Sequence, residues 1–244
     1  MQLADIHCHL LPDVDDGPKT YEETVCLLDR MADEGVKMVI VTPHYRLGMF
    51  QAPMREIWNK YQKVKKTARE KGILLFLGCE FYRSSVAVPV LRDRKRPSMA
   101  GSSYVLIEFS PQDVYQTIRN QVYELKIHGW IPIIAHIERY ECCSRNWELV
   151  KELSKLGAKI QVNAGAIMGK QGRSVRKFCK KLLDESLVDY IASDTHDEVY
   201  RPPNLKKCAG YIERRYGKEY AHRIFIDNPK KILADRKNRL GGKN

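Results

Sequence analysis

The stretch Asp5-Ile6-His7-Cys8-His9-Leu10-Leu11-Pro12-Asp13-Val14-Asp15-Asp16-Gly17 joins an apolar segment to a loop rich in carboxylates near the start of the 244-residue chain. The apolar segment predicts a strand from Leu3 to His7. Because residues i and i+2 of a strand point to the same face, His7 and His9 can reach one point in space. Two imidazoles beside carboxylates are typical ligands of a divalent transition metal. The stretch predicts a metal site at the end of the first strand, and incidental histidines in a polar turn are the alternative.

Apolar strands and amphipathic helices continue to alternate along the chain. The further predicted strands are 36–41, 73–77, 104–109, 131–135, 159–163 and 188–192, and the helices between them are 20–34, 53–71, 111–128, 147–156 and 175–186. This alternation is typical of a parallel sheet covered on both faces. Seven such strands favour an α/β barrel that is closed or nearly closed, in a single domain over residues 1–244.

Two segments depart from this rhythm. Residues 82–103 hold a basic run followed by Pro97 and Gly101, and they predict an excursion of turns or a short hairpin. Residues 201–244 are predicted to be helical and basic, with 13 Lys+Arg against 4 Asp+Glu. An anionic partner or a solvated basic face would each explain that charge.

Composition limits the class of protein. The formal net charge is +12, no apolar run is long enough to span a membrane, and the start of the chain lacks the regions of a signal peptide. The seven cysteines include no Cys-x-x-Cys pair, which argues against a zinc ribbon or a thioredoxin motif. We expect a cytoplasmic protein with reduced thiols and no membrane insertion.

Polar residues of the same kinds follow most of the predicted strands. In α/β barrels the carboxyl ends of the strands carry the active site. Five histidines and four carboxylates exceed the three or four protein ligands of one zinc ion, so they predict two or three ions that share carboxylates. The candidate metal ligands are His7, His9, Asp16, His44, Glu80, Glu108, His136, Asp194 and His196.

The chain resembles the PHP (polymerase and histidinol phosphatase) metallohydrolase superfamily. Within it, the sequence is similar to the CpsB/CapC-like metal-dependent protein tyrosine phosphatases of Gram-positive capsule and exopolysaccharide loci. The resemblance implies a distorted (β/α)7 TIM-like barrel with a trinuclear metal site. It rests on motifs along the whole chain, among them Asp5-Ile6-His7-Cys8-His9, Thr42-Pro43-His44, Gly78-Cys79-Glu80, Leu106-Ile107-Glu108-Phe109, Pro132-Ile133-Ile134-Ala135-His136 and Ser193-Asp194-Thr195-His196.

The resemblance also implies how the ligands are divided among three ions. Manganese is the implied metal, with iron or zinc as alternatives. The chain departs from the family at Asp13, where glycine is common, and at Ile137, where proline is common. The implied sets are His7, His9, Glu80 and Asp194 on one ion, Glu80, Glu108 and His136 on a second, and Asp16, His44 and His196 on a third.

Two arginines follow candidate ligands closely. Arg139 lies three residues after His136, and Arg201 lies five residues after His196. A guanidinium group pairs bidentately with phosphate oxygens. Their position and the resemblance together predict Arg139 and Arg201 as catalytic phosphate-binding groups, with ordinary surface arginines as the alternative.

The resulting functional hypothesis is hydrolysis of phosphotyrosine by metal-activated water. The implied substrate is the phosphotyrosine-bearing tail of a bacterial tyrosine kinase, which would recruit the enzyme to the membrane. A small-molecule phosphatase, such as a histidinol-phosphate phosphatase, is one alternative. A protein that binds nucleic acid or an anionic surface is another, although no nucleic-acid motif is present. The single Cys-x5-Arg pair, Cys208 and Arg214, lies in a predicted helix and does not predict a thiolate phosphatase.

Overall fold

Residues 1–241, which the computed structural model describes, contain nine strands. The strand pairs within the sheets are all parallel, as the continuous apolar strands predicted. The strands are β1 (Leu3–Cys8), β2 (Val36–Val41), β3 (His44–Tyr45), β4 (Leu74–Leu77), β5 (Glu80–Tyr82), β6 (Tyr104–Glu108), β7 (Ile131–Ile134), β8 (Lys159–Asn163) and β9 (Tyr190–Ala192).

Two of the seven predicted strands, 36–41 and 73–77, are each followed by a short strand that was not predicted, β3 and β5 respectively. The chain passes from β2 to β3 across Thr42 and Pro43, and from β4 to β5 across Gly78 and Cys79. Proline lacks the N–H that a strand ladder needs, and a Cβ at Gly78 would lie 3.0 Å from the Ile40 side chain. The two breaks separate the strands into a sheet of order β1-β2-β4 and a sheet of order β3-β5-β6-β7-β8-β9.

The barrel closes between its first and last strands. The amide of His9 donates to the Thr195 carbonyl at 2.8 Å, and the amide of Asp194 donates to the His7 carbonyl at 2.9 Å. These bonds join the carboxyl end of β1 to the residues just after β9, so they bring the two strand ends together. The predicted distorted seven-stranded α/β barrel is therefore confirmed, with the interruptions as its distortion.

The first strand carries an irregularity that prepares the site. Its register against β2 shifts between Asp5 and Cys8, and such irregularities re-aim side chains next to active sites. As a consequence, Ile6 packs in the barrel interior while the next residue, His7, lies among the candidate metal ligands. The buried Asp5 carboxylate accepts hydrogen bonds from the amide and the hydroxyl of Ser193, which link β1 to the chain after β9.

Helices cover the outside of the barrel. The helix α1 begins at a capping box, in which the Thr20 hydroxyl accepts a hydrogen bond from the Glu23 amide. A short 3-10 helix precedes β6 (Met99–Gly101) and another follows β7 (Ile137–Arg139). The helices are α1 (Tyr21–Asp33), α2 (Met54–Glu70), α3 (Ala87–Arg92), α4 (Tyr115–Ile127), α5 (Glu141–Arg145), α6 (Glu148–Lys155), α7 (Ala164–Ile167), α8 (Arg173–Asp184), α9 (Leu205–Tyr216), α10 (Lys218–His222) and α11 (Asn228–Gly241), with the π-helical turn Arg223–Asp227 before α11.

The two segments that depart from the alternation of strands and helices both contain helices. Residues 82–103 contain α3 and the 3-10 helix Met99–Gly101, so the alternative of a short hairpin was wrong. Residues 201–241 form α9, α10 and α11 as predicted, and the last three residues of the predicted segment lie outside the described part of the chain. Among residues 1–241, no helix combines the length and apolar character needed to cross a bilayer.

Candidate metal centre

All of the predicted ligands lie together in the described part of the chain. Most lie at or after the carboxyl end of a strand, whereas His44 and Glu80 begin the short strands β3 and β5 that follow β2 and β4. Their donor atoms form four overlapping groups, and within each group these atoms lie within 4.8 Å of one another. The overlap means that neighbouring groups share residues, as expected for a multinuclear site. The groups are His9, Asp16, His44 and His196; His7, His9 and Asp194; His7, Glu80 and His136; and His44, Glu80 and Glu108.

Glu80 is the carboxylate that joins these groups. Its Oε1 lies 3.0 Å from His136 Nε2, and its Oε2 lies 3.0 Å from His7 Nε2, 3.2 Å from His9 Nε2 and 3.3 Å from His44 Nδ1. Burial alone would raise the pKa of Glu80, but the imidazoles of His7 and His44 hold it well below its usual value. The carboxyl group is therefore an anion, and both of its oxygens are directed at imidazole nitrogens.

Asp194 is held on two sides. Its Oδ1 lies 3.4 Å from His7 Nε2 and 3.5 Å from His196 Nδ1. Its Oδ2 accepts a hydrogen bond from Asn163 Nδ2 at 2.8 Å and another from Arg139 Nη2. One oxygen is thus directed into the cluster, while the other is fixed by neutral and cationic donors.

Asp16 repeats this arrangement at the more exposed edge of the cluster. Its Oδ1 lies 3.2 Å from His196 Nε2 and 3.4 Å from His44 Nε2, and its Oδ2 accepts from Arg201 Nη2 at 2.8 Å. Both predicted arginines therefore lie at the site, and each contacts a carboxylate of the cluster. Their side chains remain 28% exposed for Arg139 and 36% exposed for Arg201.

Hydrogen bonds outside the cluster orient three of the imidazoles. His7 Nδ1 lies 3.1 Å from the side-chain oxygen of Gln161, and His9 Nδ1 lies 2.7 Å from Asp15 Oδ2. His196 Nδ1 lies 2.9 Å from the Asp194 carbonyl oxygen. These oxygens accept hydrogen bonds, so Nδ1 is the protonated nitrogen and the Nε2 lone pair points into the cluster.

His136 is oriented in the same way. Its Nδ1 lies 3.4 Å from the Tyr140 hydroxyl, which itself donates to the Ala135 carbonyl at 2.8 Å. The hydroxyl proton is thereby used, and the oxygen is left as the acceptor for Nδ1. Burial and Arg139 lower the pKa of His136, yet Glu108 and Glu80 raise it to about 9. The raised pKa favours a proton on this imidazole, and a bound metal ion would have to replace that proton.

The donor set fits divalent cations. The buried Nε2 of His196 has no hydrogen-bond partner among the described residues, although Asp16 Oδ1 lies nearby. The Nε2 atoms of His7 and His9 face each other at 3.3 Å. Lone pairs and carboxylates that converge in a buried space require a compensating cation, and imidazole with carboxylate suits a transition metal.

The backbone at two candidate ligands is in the left-handed region. His136 has φ 30° and Asp194 has φ 53°, and non-glycine residues in this region cost about 1–3 kcal/mol each. Such residues persist where the surrounding structure holds them, and they concentrate at functional sites. Asp13, which replaces the glycine common in the family, has φ 51°. Aspartate is among the residues that tolerate this conformation best, which explains why the substitution is accommodated.

Sequence reasoning missed the residues that support the ligands. Asp15 Oδ2 accepts hydrogen bonds from His9 Nδ1 and from the His44 amide, and Asp15 Oδ1 accepts one from the Gly17 amide. The side-chain oxygen of Gln161 accepts hydrogen bonds from both His7 Nδ1 and the His136 amide. Asp15 stands beside a predicted ligand in the opening motif, which was a usable signal. A glutamine within a buried strand gives a weaker signal.

We expect Asp15→Asn to weaken metal binding by roughly 10–100-fold, the usual effect of removing a supporting contact. An asparagine must direct its NH₂ group at one of the donors that Asp15 accepts, and His9 or His44 would lose its orientation. Titration with manganese against a chelating indicator measures the change. Asp13→Asn is the matched control, because the Asp13 side chain is 79% exposed. Equal affinities for the two variants would contradict the supporting role of Asp15.

The Cys-x5-Arg pair does not form a second site. Cys208 is buried in α9, and burial raises the pKa of its thiol well above the usual value. The pair also lies within the regular helix α9, where the backbone amides are used in helical hydrogen bonds. This supports the prediction that Cys208 is not a nucleophile.

Part of the basic C-terminal segment lies away from the metal centre. Lys218 and Lys230 line a groove of about 670 Å³ together with Lys37. The groove also contacts the first residues of β1, β2 and β4, which are the ends opposite to the predicted ligands. These lysines therefore do not border the cluster.

Comparisons with known proteins agree with this geometry. The family described as "Capsular polysaccharide synthesis, CpsB/CapC" matches residues 3–234. Tyrosine-protein phosphatase CpsB of Streptococcus pneumoniae is 34% identical over 240 residues, which cover 96% of this chain and 99% of the relative. Tyrosine-protein phosphatase YwqE of Bacillus subtilis is 27% identical over 235 residues, which cover 96% and 92%.

A solved structure of the same group gives the fold independently. The structures of YwqE from Bacillus subtilis and CpsB from Streptococcus pneumoniae are described as metal-dependent tyrosine phosphatases. The match has a TM-score of 0.89 at 26% identity and covers 96% of this chain and 95% of the other. Together with the match over nearly the whole sequence, it shows that this chain belongs to the CpsB/CapC family.

Proposed function

We propose that this chain is a metal-dependent phosphatase that hydrolyses phosphotyrosine in proteins. The observation that carries the proposal is Glu80, whose two oxygens contact four imidazoles at the carboxyl end of a closed barrel. A carboxylate shared in this way is the feature that a multinuclear phosphoryl-transfer site requires. The relatives named as tyrosine-protein phosphatases supply the substrate class.

The nine predicted ligands would hold two or three divalent ions, with manganese as our first choice. The three implied sets are compatible with the four groups. The third set lies within one group, and the ligands of the first and of the second set each come from two groups that share a residue. Ions at such a site activate water and neutralise the charge on phosphoryl oxygens. The protein supplies the orientation of the ligands through Asp15, Gln161 and Tyr140.

We further propose that Arg139 and Arg201 have two roles. Each guanidinium directs one carboxylate oxygen into the cluster by holding the other. Each also has N–H groups beyond the one used in that bond, and these can donate to the nonbridging oxygens of a bound phosphoryl group. Arg139 follows β7 and Arg201 follows β9, so the two arginines would hold the substrate from two sides.

The leaving group sets a modest demand on the protein. A tyrosine phenol has an ordinary pKa of about 10, so its phenolate is a tolerable leaving group without a strong general acid.

We propose the phosphotyrosine tail of a bacterial tyrosine kinase as the substrate, with the enzyme in the cytoplasm. The seven cysteines are all free in the structure, which supports a reducing compartment.

The test is to compare a phosphotyrosine peptide with histidinol phosphate on the same metal-loaded preparation. We expect kcat/KM to favour the peptide by about tenfold or more, because an alkyl phosphate has a much poorer leaving group than an aryl phosphate. A nonpeptide aryl phosphate, assayed alongside, separates this chemical effect from recognition of the peptide. Faster turnover of histidinol phosphate would overturn the proposal in favour of a small-molecule phosphatase.

A further inference from the structure

A buried arginine lies outside the metal centre. Arg96 follows α3 and is only 9% exposed. Its Nη2 donates to the Ala52 carbonyl at 2.7 Å, its Nη1 lies 3.8 Å from Met54 Sδ, and its guanidinium carbon is 4.8 Å from the centre of the Tyr45 ring. These contacts orient the side chain without neutralising its charge.

The charge of Arg96 has no counter-ion in the part of the chain that is described. No carboxylate of residues 1–241 comes within ion-pair distance of it, whereas Arg83 and Arg92 each have an aspartate partner. Its buried Nε also lacks a hydrogen-bond partner among the same residues. Burying a guanidinium without an anion is unfavourable, so this arrangement favours a ligand that supplies the anion.

Arg96 lines a groove of about 620 Å³ between α2, the segment 82–103 and the end of α4. This volume is within the range of sites for small organic molecules. Trp58 and Trp130 provide aromatic walls, and Trp58 is 50% exposed at the edge. Arg94 also lines the groove, and it holds a left-handed backbone with φ 55°.

The groove is separate from the metal centre. Its walls, as the described residues define them, include none of the nine candidate ligands. The two sites are nevertheless neighbours, because Tyr45 follows the ligand His44 and because Ala52 belongs to the loop between β3 and α2. The same loop carries Phe50, whose ring stacks on His44 with centroids 5.1 Å apart.

We propose that this groove binds an organic anion that combines an apolar or aromatic body with one carboxylate, sulfonate or phosphate group. The anionic group would pair with the guanidinium of Arg96 where this side chain lines the groove. The body would lie against Trp58 and Trp130, where aromatic stacking and burial of apolar surface both contribute. The proposal does not depend on the phosphatase activity.

Two fluorescent probes that differ mainly in one charged group test this assignment. Anilinonaphthalene sulfonate carries an anion, and phenylnaphthylamine has a similar body without it. We expect Arg96→Met to weaken binding of the sulfonate by about tenfold or more, the effect of one lost charge-assisted interaction, and to leave the neutral probe within about twofold. Trp58→Ala should weaken both probes, since it removes a wall of the groove.

Lys230→Met is the matched control, because it removes a cation from the other groove and should leave both affinities unchanged. Wild-type affinity of Arg96→Met for the sulfonate overturns the proposal. If Arg96→Met does not fold, Trp58→Ala decides, since its exposed position tolerates truncation and unchanged binding there would equally overturn it. Displacement of the sulfonate by phenylphosphonate indicates an aromatic ligand, displacement by octylphosphonate indicates an aliphatic amphiphile, and displacement by neither contradicts the assignment.

Discussion

Glu80→Gln is expected to lower kcat/KM for a phosphotyrosine peptide by roughly a thousandfold or more. The substitution keeps the size of the side chain but replaces one anionic oxygen with an NH₂ group. That group would face His136 or the three imidazoles of His7, His9 and His44, whose lone pairs are needed for metal ions. Losing the shared carboxylate removes several kcal/mol of charge stabilisation, and each 1.36 kcal/mol corresponds to about tenfold in rate.

The control for this prediction is Cys208→Ser. The buried thiol takes no part in the metal centre, and we expect its replacement to keep the activity within about twofold of wild type. Steady-state kinetics on both variants, with circular dichroism to verify folding, gives the comparison. An inactive Cys208→Ser protein together with an active Glu80→Gln protein would point to thiolate chemistry and refute the metal mechanism.

Removing the metal ions should abolish activity, and restoring them should recover it. We expect a chelator to reduce turnover by about a hundredfold or more, with recovery when manganese is added. Elemental analysis of the reloaded protein should find at least two ions per chain, because the donor atoms form several overlapping groups. A saturated protein with a single bound ion would exclude the multinuclear site.

Ion binding should also be visible without an activity assay. A ligand that binds only the folded state adds about 2.7 kcal/mol to the free energy of unfolding at a hundredfold excess over Kd, so the melting temperature should rise with manganese.

In the metal-free protein the pKa of His136 is raised to about 9, so this imidazole must release a proton before it can bind an ion. Manganese should therefore bind more weakly at pH 6 than at pH 8, and a pH-independent Kd would contradict the assignment of His136.

Some of the supporting structure could not be predicted, because it depends on contacts between distant residues. Gln161 and Tyr140 have no distinguishing sequence context, and their roles follow from their positions next to His7 and His136. Arg139 and Arg201 were predicted as phosphate-binding groups from their distance to a ligand along the chain together with the family resemblance. Their pairing with Asp194 and Asp16 required the structure, since each ion pair joins residues more than 50 positions apart.

The groove around Arg96 shows the same limit. The sequence presented this residue as part of a basic run in an irregular segment, where exposed and solvated arginines are the usual outcome. The structure instead packs Arg96 against Tyr45 and leaves its neighbour Arg92 exposed. Burial is a property of the assembled surfaces, so no local pattern separates these two arginines.

The sequence by itself determined the alternation of strands and helices, the parallel barrel and the identity of the nine candidate ligands. It could do so because strand and helix periodicity are local, and because parallel strands place all their carboxyl ends on one face. Only the tertiary structure decided which ligand atoms face one another, which nitrogen of four of the five candidate histidines is free and which arginine is buried. Those features depend on distances of a few ångströms between residues that are far apart in the chain, and spacing along the sequence does not encode them.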